Sequence, residues 1–387
     1  MKVLITLFKK NISIFLIFIF SLFCIIFFTF IIFYSSNNSN SIIYKETYPV
    51  VMYRHHTLID DNYTFDNEGL NRPHIVREDH NTKNIVVLDE GNECLYIFSK
   101  NGEFIRKIGQ PGQGPGDLLG PRYLVLDSIG NIYVHELTNY RISIFSQDGK
   151  FITSFRISGD NKTIFSVSKD RTILVNEPDK GYYISIYSKE GRFIKNIGKI
   201  PEVNKYNLKN VDKLFAKGWP FLDDKGNFYI FLHHLGEVKI FNEHGELIKK
   251  QILDLPQIKS ILNEDVFVLP ENHKYIKDPI FDFFQEIIFY NNYFYILFID
   301  SNLKRGKNKD QPSVIIYKLD EKFNISKKII LDIDNYDIQG DNRVPMSDII
   351  FKTRMYLQFQ FEIASDEDYI YYPHKYNAKI YLFKIIN

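Results

Sequence analysis

Cysteine is almost absent: the 387 residues hold only Cys24 and Cys94. Cys24 lies inside a long apolar run and Cys94 in a strand-like segment, so one within a bilayer would have to pair with one in an exported domain. A fold built on disulfides is excluded. Charge of one sign is lacking too. The formal net charge is +1 and no basic block stands out, which argues against nucleic acid as a partner. No Gly-x-Ser-x-Gly, His-Glu-x-x-His, Cys-x-x-Cys or P-loop motif occurs, and this weakens the case for the enzymes built on them. Tryptophan occurs once, as Trp219, and alanine is rare, whereas 26 tyrosines and 34 phenylalanines are present. That balance favours strands over helices.

What is present begins with a separate physical object at the N-terminus. Lys2, Lys9 and Lys10 precede residues 12–34, which run without a charge. At about 1.5 Å per residue such a helix spans a hydrocarbon core of roughly 30 Å. The positive residues before it place residues 1–11 in the cytoplasm and the rest of the chain outside. The run is longer than a signal-peptide core and ends in Phe33-Tyr34, so an uncleaved single-pass anchor is expected. Phe23 precedes Cys24 where a lipoprotein signal needs a small residue. Residues 35–46, beginning SSNNSNS, form a polar stalk.

The remainder, residues 47–387, repeats. NIVVLDEGNECLYIF at 84–98 aligns without a gap on NIYVHELTNYRISIF at 131–145, 47 residues later. Each is followed by a polar-Gly turn and an amphipathic strand. Further copies start at Thr172 and Asn227, a looser one at Asn292, and a sixth at Asp368. The stretch 109–155 is the most legible. A Gly/Pro loop (residues 109–121) leads to strands at 123–127, 131–135, 141–145 and 150–155. The sixth copy stops without its fourth strand, which would leave a bare sheet edge. TYPVVMY at 47–53 is the natural strand to complete it, so the expected fold is all-β: a six-bladed β-propeller closed by an N-terminal strand and preceded by one transmembrane helix.

The block GQGPGDLLGPRYLVLDSIGNIYVHELTNYRISIFSQDGKF resembles an NHL-type repeat, with its G-x-G-P-G loop, G-N-I-Y-V, following N-x-R-I and Phe before Asp-Gly. It is also similar to the six-bladed propellers of exported or envelope-anchored bacterial proteins. Glu136 stands where that pattern has aspartate, and the fourth copy has Leu232.

Several residues could carry chemistry. Asp89, Glu136 and Glu177 share one column of the repeat; they either accept turn N–H groups and pair with cations such as Arg141, or converge on a divalent cation. The first reading is preferred, and neither a metal nor another cofactor is expected. His55-His56 and His233-His234 are adjacent pairs whose members point to opposite faces if they lie on strands. His135, His233 and His374 could ring a channel mouth, although their columns differ. The loop at 109–121 fits an inter-blade crossover better than a phosphate cradle. Trp219 falls where the innermost strand of the fourth blade should begin, as a stacking platform or a packed plug. Long segments at 199–217, 255–279 and 332–347 are where specificity would reside.

The function these features favour is a membrane-anchored, extracytoplasmic binding module for a protein, peptide or glycan, with Trp219, His135, His233 and His374 as candidate contacts. The alternatives are a metal-dependent propeller hydrolase or lyase, gluconolactonase-like or amidating-lyase-like, and a structural or sensor subunit of an envelope complex.

Overall fold

The computed structural model describes residues 50–59, 69–158, 163–201, 213, 215–256, 258, 284–300, 313–332, 361–363, 369–374 and 379–385. All belong to one compact unit, Tyr48–Asn387. The expected anchor, cytoplasmic N-terminus and stalk lie outside the described residues, as do most of the three long segments. Among the described residues no helix is long and apolar enough to cross a membrane.

The chain is an all-β propeller. After β1 (Val50–Ile59) come β2 (Pro73–Glu78), β3 (Ile85–Asp89), β4 (Cys94–Phe98) and β5 (Phe104–Ile108), an antiparallel meander forming one blade. The template stretch supplies the next: β6 (Pro121–Leu126), β7 (Ile132–Glu136), β8 (Arg141–Phe145) and β9 (Phe151–Arg156), each within two residues of the span read from sequence. The third is β10 (Phe165–Val167), β11 (Ile173–Val175), β12 (Tyr182–Tyr187) and β13 (Phe193–Lys199). The fourth is β14 (Gly218–Leu222), β15 (Phe228–Leu232), β16 (Glu237–Phe241) and β17 (Leu247–Ile252).

The remaining strands are β18 (Glu286–Tyr290), β19 (Tyr293–Asp300), β20 (Ser313–Leu319), β21 (Ile325–Asp332), β22 (Glu362–Ile363), β23 (Tyr369–His374) and β24 (Lys379–Ile385). With β1 they form one eight-stranded sheet in the order β18-β19-β20-β21-β1-β24-β23-β22. It reads as two blade-sized meanders joined edge to edge. β1 runs antiparallel to β24, with Tyr53 opposite Ile385 and His56 opposite Leu382, so it supplies the strand the sixth copy lacks. Val50–Arg54 also pairs in parallel with β21. Instead of closing one blade alone, the N-terminal strand therefore satisfies the outer edges of two, and five sheets carry six repeats.

Burial follows position in the blade. Every residue of β3, β4 and β7 is buried, because these middle strands have blades packed on both faces. The outer β17 is exposed at five of six positions, and Lys249 and Lys250 there guard its edge. Apolar faces of neighbouring blades interlock, as where Ile75, Leu124, Tyr133 and Phe165 share one cluster. In the fourth and fifth blades the packing is aromatic: Phe231 lies 4.8 Å from Phe294, and Phe294 4.6 Å from Phe289, between ring centroids.

In the second and fourth blades the first turn is set by an aspartate. Asp127 accepts from the N–H groups of Ile129 and Asn131 at 3.0 and 2.8 Å and from the Tyr133 hydroxyl at 3.1 Å. Asp223 repeats this with Lys225, Asn227 and Tyr229. Gly130 and Gly226, at φ of 84°, complete these turns in a conformation a side chain would strain.

Candidate functional site

The repeated carboxylates do not converge. Asp89 ends β3 and accepts the N–H groups of Asn71, Arg72, Gly91 and Asn92 at 2.7–3.0 Å. Glu136 ends β7 and takes the Leu119 N–H, the Asn139 amide, the Arg141 Nε and the Ser143 hydroxyl. Glu177 holds the Ser158 N–H, Lys180 and the Tyr187 hydroxyl. Each is committed to its own blade, and among the described residues no three His, Cys, Asp or Glu side chains group as metal ligands. Arg141 does more than neutralise Glu136. Its guanidinium donates to the carbonyls of Gln113, Gly114 and Asp117, which fixes the Gly/Pro loop as a crossover between β5 and β6.

The histidine candidates belong to three blades. His135 sits on β7 opposite Tyr123, whereas His233 and His234 fall in the turn after β15 and not on a strand. Alternation therefore does not separate their rings, which lie 4.7 Å apart at 78°. His374 ends β23, and its side chain is outside the described residues, as are those of His55 and His56. His135 and His233 lie at the ends of second strands, on the side opposite the first turns. The structure does bring two candidates together: Trp219 stacks on His233 at 4.9 Å.

Trp219 is the second residue of β14, and it is one wall of the feature that unites the molecule. An axial cavity of about 370 Å³ is lined by residues from β2, β6, β10, β14, β18 and β22, the innermost strand of every repeat. Its rim is formed by first-turn residues: His80, Ser128, Lys169, Asp224, Asn291 and Asn292. Beneath them the walls are aromatic, from Tyr123, Phe165, Trp219, Phe221 and Phe289. Trp219 is only 3% exposed; its indole N–H influences the Tyr123 hydroxyl but has no acceptor in hydrogen-bond geometry among the described residues.

At this cavity three blades contribute charge, with Arg77 and Glu362 in the lining and Glu286 paired to Arg77. Arg77 of β2 donates to Glu286 of β18 at 2.5 Å and to the carbonyls of Val76 and Phe361 at 3.0 and 3.1 Å. Its guanidinium lies 5.8 Å from the Tyr123 ring centre. Glu286 also accepts the Phe361 N–H at 2.9 Å. Glu362 of β22 stands 3.7 Å from Arg77 and 3.8 Å from His80. Burial pushes the Glu286 carboxyl up to about 7 against the opposing pull of Arg77. For Arg77 burial is again the largest influence and acts downward, yet Glu286 and Glu362 outweigh it and hold the guanidinium above its ordinary value. His80 shows the same balance, raised by Glu362 and Glu78 in spite of burial.

Arg77, Glu286 and Glu362 are absent from the sequence-derived candidates. They occupy innermost strands, which the repeat alignment does not anchor, and they recur in no column. The signal lay in polar residues on a wholly buried strand: Pro73–Glu78 carries His74, Arg77 and Glu78 and is buried at all six positions.

Fold and site together define a propeller with an aromatic axial cavity and charged residues in its lining. Residues 64–214 match a family described as a 6-bladed beta-propeller. Over 151 residues the chain is 26% identical to Protein brain tumor of Drosophila melanogaster; that alignment covers 37% of this chain and only 13% of that protein. Among solved structures it is similar to catalytically inactive virginiamycin B lyase from Staphylococcus aureus with quinupristin, at TM-score 0.50 and 10% identity over 86% of this chain and 100% of that one. It is also similar to a Bacteroides fragilis protein provisionally described as exported, at TM-score 0.48 and 14% identity over 87% and 100% of the two chains. At such identities the likeness concerns the fold alone.

Proposed function

We propose that the chain is a membrane-anchored, extracytoplasmic binding propeller that takes part of a protein, peptide or glycan ligand into its axial cavity. The observation that carries this reading is the cavity itself: six innermost strands meet around it, with exposed polar groups at the rim and aromatic walls below. Concave, largely apolar sites with a few placed polar groups are the usual form of a ligand pocket. The tethering follows from the uncharged run at 12–34 and the lysines before it.

A cavity-filling variant tests the binding. Val125 lines the cavity and is half-buried, so Val125→Trp obstructs it at a cost of about 1–3 kcal/mol. Affinity capture from a membrane-envelope extract should lose its specific partner with this variant and keep it with Ile152→Thr on the exposed outer strand β9. Identical capture by both would refute ligand entry. Protease digestion of intact cells tests the tether: the propeller should be degraded from outside, and full protection would contradict its placement.

A further inference from the structure

Arg77 stands between two carboxylates, Glu286 and Glu362, of which Glu362 lines the axial cavity together with Glu78. Arg77 is spoken for: Glu286 sits on it at 2.5 Å, two backbone carbonyls take further N–H groups, and the Tyr123 ring covers it. An anionic ligand would have to displace a buried carboxylate to reach that guanidinium. Glu362 is held more loosely. Its partners stand at 3.7 and 3.8 Å, beyond hydrogen-bond distance, although the residue is only 6% exposed. One of these partners, His80, has a 37% exposed side chain at the rim and rests edge-on against Tyr290. Glu362 is thus a buried carboxylate on the cavity whose nearest cations, Arg77 and His80, stand beyond hydrogen-bond distance, and the contact most easily replaced is that of His80.

The walls favour the same chemistry. Trp219, Phe221 and Tyr123 face the cavity, and aromatic faces attract a cation most when water is excluded. At the rim, Lys169 is already paired with Asp224 at 2.6 Å, so it does not offset Glu362. A second, independent observation comes from Trp219: among the described residues the indole N–H of this 3% exposed side chain has only the Tyr123 hydroxyl near it, outside hydrogen-bond geometry, which leaves the donor open to a ligand oxygen.

We propose that the cavity takes a primary alkylammonium group on an apolar stem, with Glu362 as its counter-ion; this rests on ligand entry into the axial cavity. A lysine within a peptide supplies both the ammonium and a carbonyl for Trp219, whereas a free diamine supplies the ammonium alone.

The chain's single tryptophan lies in the site, so its fluorescence reports occupancy directly. The full chain in detergent is titrated with 1-aminopentane, 1-pentanol and pentanoate, and then with 1,5-diaminopentane and Nα-acetyl-lysine methylamide. A saturable change of Trp219 emission is expected for the amines, with the alcohol and the carboxylate at least about 10-fold weaker. Tighter binding of the lysine derivative than of the diamine points to a peptide source, and the reverse to a polyamine. Glu362→Gln should weaken the amine about 10-fold or more; Glu362→Asp, which keeps the charge, and Glu243→Gln on an exposed turn should not. Equal binding of pentanol or pentanoate overturns the cationic specificity while leaving ligand entry intact. Unchanged affinity in Glu362→Gln overturns the role of that carboxylate. If Glu362→Gln fails to fold, the selectivity of the native chain still decides. No response to any amine overturns the proposal, while extract capture by Val125→Trp judges the binding reading independently.

Discussion

Two buried arginine–glutamate pairs in this propeller look alike and do different things. Glu136 and Arg141 meet at 2.7 Å within one blade, and the carboxylate collects three further donors from the same blade and its crossover. Glu286 and Arg77 meet at 2.5 Å across 209 residues of chain, between different blades, and Arg77 lines the axial cavity. The first pair occupies a repeated column and finishes a structural unit. The second occupies no repeated column, and its glutamate has two acceptor contacts, the Arg77 guanidinium and the Phe361 N–H. Repetition thus marks architecture, and its failure on an innermost strand marks the site.

The largest effect should come from the architectural pair. Glu136→Ala removes the acceptor of four donors, and we expect a loss of about 3–5 kcal/mol in chemical denaturation. A loss below about 1 kcal/mol would mean that the column is dispensable.

The cavity pair should respond asymmetrically. Glu286→Ala strands an arginine that cannot shed its charge in the interior, at about 3 kcal/mol. Arg77→Met leaves a carboxylate that can bind a proton instead, and should cost about 1–2 kcal/mol less at pH 6. Equal losses would show that Glu286 stays ionised regardless of its partner.

A pH series sharpens the same point. Because the folded carboxyl is raised from 4.5 to about 7, the native state keeps a proton that the unfolded chain has released. The contribution is fully present below pH 4.5 and is lost as pH rises to about 7, up to about 3 kcal/mol. The slope of the thermal midpoint across this window should flatten in Glu286→Gln.

The smallest change is expected when both members are replaced. Arg77→Met with Glu286→Leu fills similar volume without burying charge, and stability should be unchanged or rise by about 1–4 kcal/mol. The corresponding double replacement of Glu136 and Arg141 should not recover stability, because the Leu119 N–H, Ser143 and the crossover carbonyls lose their partners.

Much of the fold was legible because each blade carries its own punctuation. Asp127-Ser-Ile-Gly-Asn131 and Asp223-Asp-Lys-Gly-Asn227 mark first turns by a side-chain acceptor and a glycine, and both fold alike. Closure was legible from a missing strand, although pairing of β1 with β21 was not: nothing in Val50–Arg54 distinguishes a strand with one partner from a strand with two. Trp219 was placed correctly at the start of an innermost strand, since Gly218-Trp219-Pro220 precedes a recognisable copy. The second half of the site was hidden. Glu286 and Glu362 belong to innermost strands that follow long segments without turn signals, so no register located them. Arg77 was in view but outside the aligned columns. The His233-His234 pair escapes strand alternation because β15 ends at Leu232, one residue before it.

Thermal denaturation of Glu136→Gln and Glu362→Gln, each with and without saturating 1-aminopentane, tests the division between architecture and site most directly. Ligand that binds only the native state raises its midpoint by mass action. Glu136→Gln should start from a lowered midpoint and keep the ligand-induced rise, while Glu362→Gln should start near the native value and lose it. The opposite crossing, with the rise lost in Glu136→Gln and retained in Glu362→Gln, would contradict the account.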